Sequence, residues 1–294
     1  MLKIFPFSFI DRLLRFHKRL KEYEDQQKDL LKIVEDLRSR SATMMRDLEL
    51  LREALEEKTG ILKGETVKKI VENGFSSETY RYFAFENQFR GNNNEILKAQ
   101  TQYLPRIEEA QKESKGEFVL DVGCGRGEFL TLLKQNNIPC RGLDLTQSMV
   151  DSCKEKGLEV SLSDALIYLQ NIKDQTLIGI TAFQVIEHLP VEYLTEFIKT
   201  SFSKIKDHGV LILETVNPNS FTSLKNFYLD LTHKNPIPPL TMKFLLEDAG
   251  FKKVTIHYTS YIPDHEKLQG KDRNTTKLNE ILFGPQDYAV IGQR

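Results

Sequence analysis

The chain has 294 residues, 40% of them hydrophobic, so it is long enough for one well-packed domain and an extension. Its 41 lysine and arginine residues balance 42 aspartate and glutamate residues, which disfavours a protein built mainly to bind nucleic acid. The cysteines, Cys124, Cys140 and Cys153, have no zinc-binding spacing and indicate a reducing, cytoplasmic setting.

The N-terminal apolar run, residues 4–10, is short and contains Pro6, so we expect neither a signal peptide nor a transmembrane span. A heptad pattern follows from Leu13 to Leu55, with apolar residues at alternating spacings of three and four and charged residues between them. The pattern predicts one helix, roughly 65 Å long, within a first region of residues 1–59. We interpret it as a coiled coil for self-association or partner docking; the alternative is a helix folded back on the rest of the chain.

The first turns of this helix are basic and follow several aromatic residues, an arrangement that could lie on an anionic membrane surface. An ordinary solvated basic face explains the same residues and is the interpretation we favour. We therefore predict a cytoplasmic protein, with contact at the inner face of the membrane as the lesser alternative.

A second, helical region is predicted over residues 60–115, and it includes an aromatic-rich helix at residues 77–90. Arg90 ends this helix directly before Gly91. A guanidinium beside a glycine turn is suited to a bidentate grip on a carboxylate. The alternative is a surface ion pair.

A glycine-rich turn opens the third region, residues 116–294. It follows a buried strand at residues 118–122 and carries Gly123, Gly125 and Gly127 before a helix begins near Glu128. The spacing differs from the dinucleotide-binding G-x-G-x-x-G and lacks the Lys-Ser/Thr of a phosphate-binding P-loop. Asp121, beside the turn, would suit the cationic amino-acid end of a ligand.

Further strands are predicted in alternation with helices, which indicates a doubly wound α/β sheet. They cover residues 141–144, 158–161, 177–184, 210–215, 251–258 and 288–291. Asp144 ends the second strand about 20 residues past the glycine turn, where a carboxylate can accept both hydroxyls of a ribose; its other role would be as a helix cap. Asp164 opens the next helix, a position at which an aspartate often serves as the N-cap.

These motifs together resemble those of class I S-adenosylmethionine-dependent methyltransferases. The resemblance implies a Rossmann-like seven-stranded fold, with an antiparallel seventh strand inserted before the sixth, preceded in this chain by the coiled-coil helix. It also implies S-adenosylmethionine as cofactor, with the adenine at Asp164 and the methionine part at Gln184. The cofactor-binding residues that we predict are Arg90, Gly91, Asp121, Gly123, Gly125, Gly127, Asp144, Leu145, Met149, Asp164, Ala165, Gln184 and Val185.

The acceptor side is predicted at the end of the fourth strand and in a later insertion, residues 227–239. His188 is our first choice of general base, because a neutral imidazole can take a proton from a hydroxyl near pH 7; a structural histidine is the equal alternative. The insertion is stiffened by prolines and carries Tyr228, Asp230 and His233, groups that suit a sugar ring. The catalytic residues that we predict are Glu187, His188, Tyr228, Asp230 and His233.

Glu187, His188 and His233 could also ligate a divalent cation. Three residues scattered along the sequence are a weak signal, so we expect no bound metal. Residues 267–277, polar and charged, are predicted to form a mobile loop.

The lead-in before Gly91 and the proline-rich insertion resemble those of bacterial methyltransferases of surface-polysaccharide, O-antigen type biosynthesis. This resemblance implies an O-methyltransferase for a sugar hydroxyl of a cell-surface glycan or its precursor, with a homo-oligomer or a glycosyltransferase docked through the coiled coil. The alternatives are a small-molecule or RNA methyltransferase, and a cofactor-binding assembly module for a glycan polymerase. The balanced overall charge disfavours RNA.

Overall fold

A computed structural model of the protein describes residues 93–294. The predicted coiled coil of residues 1–59 and the cofactor contacts of Arg90 and Gly91 lie outside the described residues. They stay predictions, as does the division into three regions.

The described chain alternates strands with helices. The strands are β1 (Val119–Val122), β2 (Cys140–Asp144), β3 (Val160–Leu162), β4 (Leu177–Phe183), β5 (Ile205–Val216), β6 (Lys252–Thr259) and β7 (Asp287–Gln293). The α-helices are α1 (Asn93–Gln100), α2 (Leu104–Ser114), α3 (Glu128–Gln135), α4 (Gln147–Glu155), α5 (Ala165–Gln170), α6 (Val191–Lys204), α7 (Phe221–Phe227), α8 (Pro239–Asp248) and α9 (Arg273–Leu282). Single 3₁₀ turns lie at Thr101–Tyr103, Ile186–His188 and Asp264–Glu266.

All seven strands form one sheet in the order β3-β2-β1-β4-β5-β7-β6. The first five run parallel, and β7 is antiparallel to both β5 and β6. This confirms the predicted seven-stranded, Rossmann-like fold, including the antiparallel strand inserted before β6. Every residue of β1 and β4 is buried, as expected of central parallel strands covered on both faces.

The core has two layers, one on each face of the sheet, because successive side chains of a strand point to opposite faces. In β5, Leu211 and Leu213 pack in the layer that holds buried residues of α5, α6 and α8. Val210 and Ile212 pack in the layer that holds residues of α2 and α3. The continuous apolar run of β5 therefore supports helices on both sides.

The prediction of a loop at residues 267–277 was wrong for the second half of this segment, because α9 begins at Arg273. Asp272 caps this helix, and its Oδ1 accepts the backbone N–H groups of Asn274 and Thr275 at 3.0 and 3.1 Å. No residue of α9 is buried. Most residues of this helix are polar or charged, and this composition led to the prediction of a loop.

Gly179 stands at the centre of the sheet, where β4 pairs with β5. A Cβ atom at this position would lie 2.6 Å from the Val210 carbonyl oxygen, which belongs to the backbone and cannot rotate away. We expect Gly179→Ala to lower the free energy of unfolding by about 1–3 kcal/mol, the usual cost of overpacking, in a urea titration.

Gly292→Ala in β7 is the matched control, since its Cβ would meet side chains of Phe251 and Leu246 at 3.0–3.2 Å, and these can adjust. Equal losses in the two variants would contradict the assignment of the close backbone approach to Gly179.

Candidate active site

A cavity of about 400 Å³ lies at the carboxyl ends of the parallel strands, where ligands bind in sheets of this type. The glycine turn after β1, the end of β2, the start of α5 and the end of β4 form its wall. The predicted cofactor residues in this wall are Gly123, Gly125, Asp144, Leu145, Met149, Asp164, Ala165, Gln184 and Val185. The fold thus brings together residues that are up to 62 positions apart, from Gly123 to Val185.

Asp144 joins the end of β2 to the glycine turn. Its Oδ2 accepts the backbone N–H of Gly125 at 2.9 Å, and its Oδ1 accepts the backbone N–H of Thr146 at 2.8 Å. Thr146, not Asp144, occupies the N-cap position of α4. The carboxylate therefore lies in the cavity wall with both oxygens oriented by backbone donors, and each oxygen has a further lone pair for a ligand hydroxyl.

Asp164 is the N-cap of α5, which is one of the two roles predicted for it; the other is contact with the adenine. Its Oδ1 accepts the Ile167 N–H at 3.1 Å, and its Oδ2 accepts the Tyr193 hydroxyl at 2.7 Å. Burial, followed by the hydrogen bond to Asp164, raises the pKa of Tyr193 to about 12, so the phenol stays a donor at neutral pH. Tyr193 lines the cavity and was not predicted from the sequence.

The three glycines of the turn have different surroundings, although all have positive φ. Gly123 (φ 65°) lies so close to Val185 that an added Cβ would be 2.5 Å from the valine side chain. At Gly127, a Cβ would lie 2.5 Å from Leu158 and 2.9 Å from Cys153. Gly127 therefore permits close packing against α4 and the loop that follows it, and it is not among the residues that line the cavity.

Asp121 is also absent from the cavity wall, so its contact with the amino-acid end of the cofactor stays a prediction. Its carboxylate is buried, and its Oδ1 accepts the Thr181 hydroxyl at 2.7 Å. The two residues are paired in register across β1 and β4, so their side chains emerge on the same face of the sheet. Asp121 thus links two strands beneath the turn.

A second cavity, of about 590 Å³, adjoins the first. Its wall includes Glu187, Glu214, Asp230, His233 and Asp287, and it shares Gln184 and His188 with the cavity at the glycine turn. The two compartments therefore meet at the end of β4.

Gln184 occupies the meeting point in a left-handed backbone conformation, with φ at 56°. This conformation is uncommon outside glycine and is found frequently at functional sites. The Gln184 side-chain Nε2 donates to Asp287 Oδ1 at 3.2 Å, which ties the end of β4 to the start of β7.

Glu214 and Asp287, which the sequence analysis missed, lie at the edge of the sheet that faces the second cavity. The Tyr103 hydroxyl donates a hydrogen bond to Glu214. Burial, followed by the charge of Glu214, raises the pKa of Tyr103 above its ordinary value, so the phenol remains protonated. The position of Glu214 near the carboxyl end of β5 was the available sequence signal.

Hydrogen bonds determine which nitrogen of His188 carries the proton. The Thr232 hydroxyl donates its single proton to Asp230 Oδ1 at 2.6 Å, because a carboxylate only accepts. The same hydroxyl oxygen lies 3.0 Å from His188 Nδ1, so Nδ1 must be the donor in that contact. In the neutral ring the lone pair is then on Nε2.

His233 has the same tautomer for a different reason. Its Nδ1 lies 2.7 Å from the Phe227 carbonyl oxygen, which can only accept, so Nδ1 carries the proton. Its Nε2 is 3.7 Å from Asp230 Oδ2, and its ring centroid is 4.7 Å from that of His188. Burial raises the pKa of Asp230, but the hydrogen bonds from Thr232 and the charges of the two histidines outweigh it and hold the pKa below its ordinary value.

Glu187 is the third predicted residue of this group, and it is only 1% exposed. Its Oε2 accepts the Thr215 hydroxyl at 2.8 Å, and its backbone carbonyl accepts the Lys234 N–H at 2.8 Å. One donor atom from each of Glu187, His188 and His233 lies within 4.8 Å of the other two. This trio can receive a hydroxyl group by hydrogen bonding, and its atom types also suit a divalent cation.

Tyr228 was predicted as part of an aromatic platform for the acceptor, and the structure places it apart from both cavities. Its side chain is 66% exposed and lines neither cavity. Helix α7 continues to Phe227, so Tyr228 lies at the helix C-cap, where its ring packs edge-on against Phe227 at 5.3 Å. The insertion contributes Asp230 and His233 to the site instead.

Comparison with known proteins shows to which family this chain belongs. A sequence model of a family described as a methyltransferase domain matches residues 92–256, more than half of the chain. The chain belongs to this methyltransferase family. A crystal structure of an S-adenosylmethionine-dependent methyltransferase from Archaeoglobus fulgidus shares 38% identity and a TM-score of 0.68, over 72% of this chain and 99% of that one. The methyltransferase described here is therefore an S-adenosylmethionine-dependent enzyme.

More distant relatives are also named methyltransferases, and one of the names specifies an acceptor pathway. A ubiquinone biosynthesis O-methyltransferase of Coxiella burnetii is 30% identical over 115 residues, or 38% of this chain and 48% of that protein. A probable S-adenosylmethionine-dependent methyltransferase of Mycolicibacterium smegmatis is 26% identical over 137 residues, or 47% of this chain and 52% of that protein. The methyltransferase spans about half the length of these curated relatives. Their names do not refer to surface polysaccharides.

We expect Asp144→Asn to weaken S-adenosylmethionine binding by about tenfold or more, because the amide replaces one acceptor oxygen with a donor that faces a backbone N–H. Isothermal titration calorimetry measures the change. Asp151→Asn, on the exposed surface of α4, is the control and should leave the dissociation constant unchanged. Similar affinities in Asp144→Asn and wild type would contradict the placement of the cofactor at the end of β2.

Proposed function

We propose that this methyltransferase transfers the methyl group of S-adenosylmethionine to a sugar hydroxyl of a cell-surface glycan or of its nucleotide- or lipid-linked precursor. The observation that carries the proposal is the junction of two cavities at Gln184 and His188. The smaller cavity has the carboxylates and glycine turn that suit the cofactor. The larger one would then hold the acceptor, with its hydroxyl directed toward the junction.

In this arrangement the cofactor ribose binds Asp144, and its adenine lies near Asp164 and the exposed side chain of Leu145. The methionine part extends to Gln184, where the first cavity meets the second. The cofactor residues predicted outside the described chain, Arg90 and Gly91, would complete the site at the carboxylate end. The methyl group then faces the acceptor cavity.

The chemistry is a direct displacement. A bond forms between the acceptor oxygen and the methyl carbon while the bond between sulfur and that carbon breaks, and S-adenosylhomocysteine and one proton are released. The sulfonium is a good leaving group, so alignment of oxygen, carbon and sulfur supplies much of the acceleration. Glu187, His188 and His233 lie where the acceptor hydroxyl would be held.

Two features favour an oxygen acceptor of the sugar type. The acceptor cavity is lined by carboxylates and amides, among them Glu214, Asp230 and Asp287, which pair well with hydroxyl groups. The insertion that supplies Asp230 and His233 resembles that of glycan-linked methyltransferases. Docking of a glycosyltransferase or self-association through residues 1–59 would bring the enzyme to a growing glycan, and this is part of the proposal.

A phenolic acceptor is the second candidate, because relatives such as the one from Coxiella burnetii are named O-methyltransferases of ubiquinone biosynthesis. Apolar groups in the acceptor cavity, including Phe183, Val216 and Leu229, could contact an aromatic ring. Both candidates use a hydroxyl, so the acceptor and not the reaction type separates them.

The test is to incubate the full chain with methyl-labelled S-adenosylmethionine and two acceptor sets: cell extract separated into saccharide, lipid, protein and RNA fractions, and a panel of catechols. We expect label in saccharide or in saccharide-bearing lipid. Asp144→Asn should lose the label, whereas Asp151→Asn should keep it. Label confined to catechols would favour the second candidate, and label confined to protein or RNA would overturn both.

A further inference from the structure

Glu187, His188 and His233 come from two separate segments, the turn after β4 and the insertion after α7, yet their donor atoms converge within 4.8 Å. All three line the acceptor cavity. Two imidazoles and one carboxylate form a ligand set that first-row divalent metals accept in proteins. The sequence alone did not favour a metal because it gives no indication that the segments meet.

The hydrogen bonds around the two imidazoles are those expected of metal ligands. A ligating histidine usually donates its second ring N–H to a carbonyl, carboxylate or other acceptor, which fixes the tautomer and ring orientation. His188 donates Nδ1–H to Thr232, which in turn donates to Asp230. His233 donates Nδ1–H to the Phe227 carbonyl. In both rings Nε2 is the nitrogen that keeps a lone pair.

The carboxylate is oriented in the same way. Glu187 is almost fully buried, and the Thr215 hydroxyl donates to its Oε2 at 2.8 Å. Each of the three side chains therefore has a hydrogen-bonding partner that holds it in position.

We propose that Glu187, His188 and His233 bind one divalent transition-metal ion, of the Zn²⁺, Mn²⁺ or Co²⁺ class, at the wall of the acceptor cavity. Imidazole nitrogens disfavour Mg²⁺ and Ca²⁺, which prefer oxygen ligands. Thr232 is a positioning residue, because it touches His188 and not the ion. Metal binding does not depend on the identity of the acceptor, but the role of the metal in catalysis rests on the proposed function.

With an ion in place, His188 is a ligand and is not available as the general base. The ion would act as a Lewis acid on an acceptor oxygen in the cavity and lower the pKa of that hydroxyl. The hydroxyl proton then passes to solvent, while the new bond from oxygen to carbon forms and the sulfur–carbon bond breaks. This provides hydroxyl activation without proton transfer to His188.

The test uses Co²⁺ as a spectroscopic probe on the full chain after treatment with a chelator and dialysis. We expect one Co²⁺ per chain, with visible ligand-field absorption, in a titration followed by equilibrium dialysis. His188→Asn, His233→Asn and Glu187→Gln should each weaken binding by about 100-fold or more, since each removes a ligand. His265→Asn is the matched control, because His265 has an 81% exposed side chain and should not affect binding.

Thr232→Val and Thr232→Ser test the site without removing a ligand. Valine keeps the shape of threonine but cannot accept the His188 Nδ1–H, so we expect affinity for Co²⁺ to fall about 10–100-fold. Serine keeps the hydroxyl and should restore near wild-type binding. The proposal is overturned if wild type binds no Co²⁺, if the ligand variants bind it as wild type does, or if valine and serine behave alike.

Methyl transfer is measured in parallel, so that this proposal and the proposed function can fail separately. If Co²⁺ binds as expected but no saccharide is methylated, the acceptor assignment is wrong and the metal site stands. If saccharide is methylated by a wild-type chain that binds no Co²⁺, the metal site is wrong and the acceptor assignment stands.

Discussion

The hydrogen bond from the Gly125 N–H to the Asp144 carboxylate is the contact on which the shape of the cavity at the glycine turn depends. It fixes the glycine turn against the end of the neighbouring strand, and a backbone bond from the Cys124 N–H to the Leu143 carbonyl oxygen, 2.9 Å long, holds the turn beside it. Because β1 and β2 are paired in parallel, both loops emerge at the same edge of the sheet. One acidic side chain thus shapes the turn and offers lone pairs to the ligand.

The same edge of the sheet also determines where the larger cavity lies. Strand β4 is central, with β1 on one side and β5 on the other, so the turn that follows it borders both cavities. Gln184 begins this turn in a left-handed conformation, and Glu187 and His188 in the short 3₁₀ turn Ile186–His188 line the larger cavity. The topology thereby places two cavities side by side, and they meet at the end of β4.

Sequence analysis recovered the features that depend on local pattern. Buried apolar runs located the strands, and the spacing between the glycine turn and Asp144 placed that carboxylate at the end of the neighbouring strand, because both follow from the period and length of a strand-helix-strand unit. It missed features that depend on packing between distant segments. Nothing local indicates that Tyr193 reaches Asp164 or that Thr232 reaches His188. Nor does anything local indicate that Tyr228 lies at the C-cap of α7 and outside both cavities.

The central claim is that the two cavities are the donor and acceptor compartments of one methyl transfer. A crystal structure of the chain with S-adenosylhomocysteine tests it most directly. The account predicts ribose hydroxyls within hydrogen-bonding distance of the Asp144 carboxylate, adenine beside Asp164 and Leu145, and the sulfur at Gln184, facing His188. A ligand with its sulfur directed away from the acceptor cavity, or bound without contact to Asp144, would contradict it.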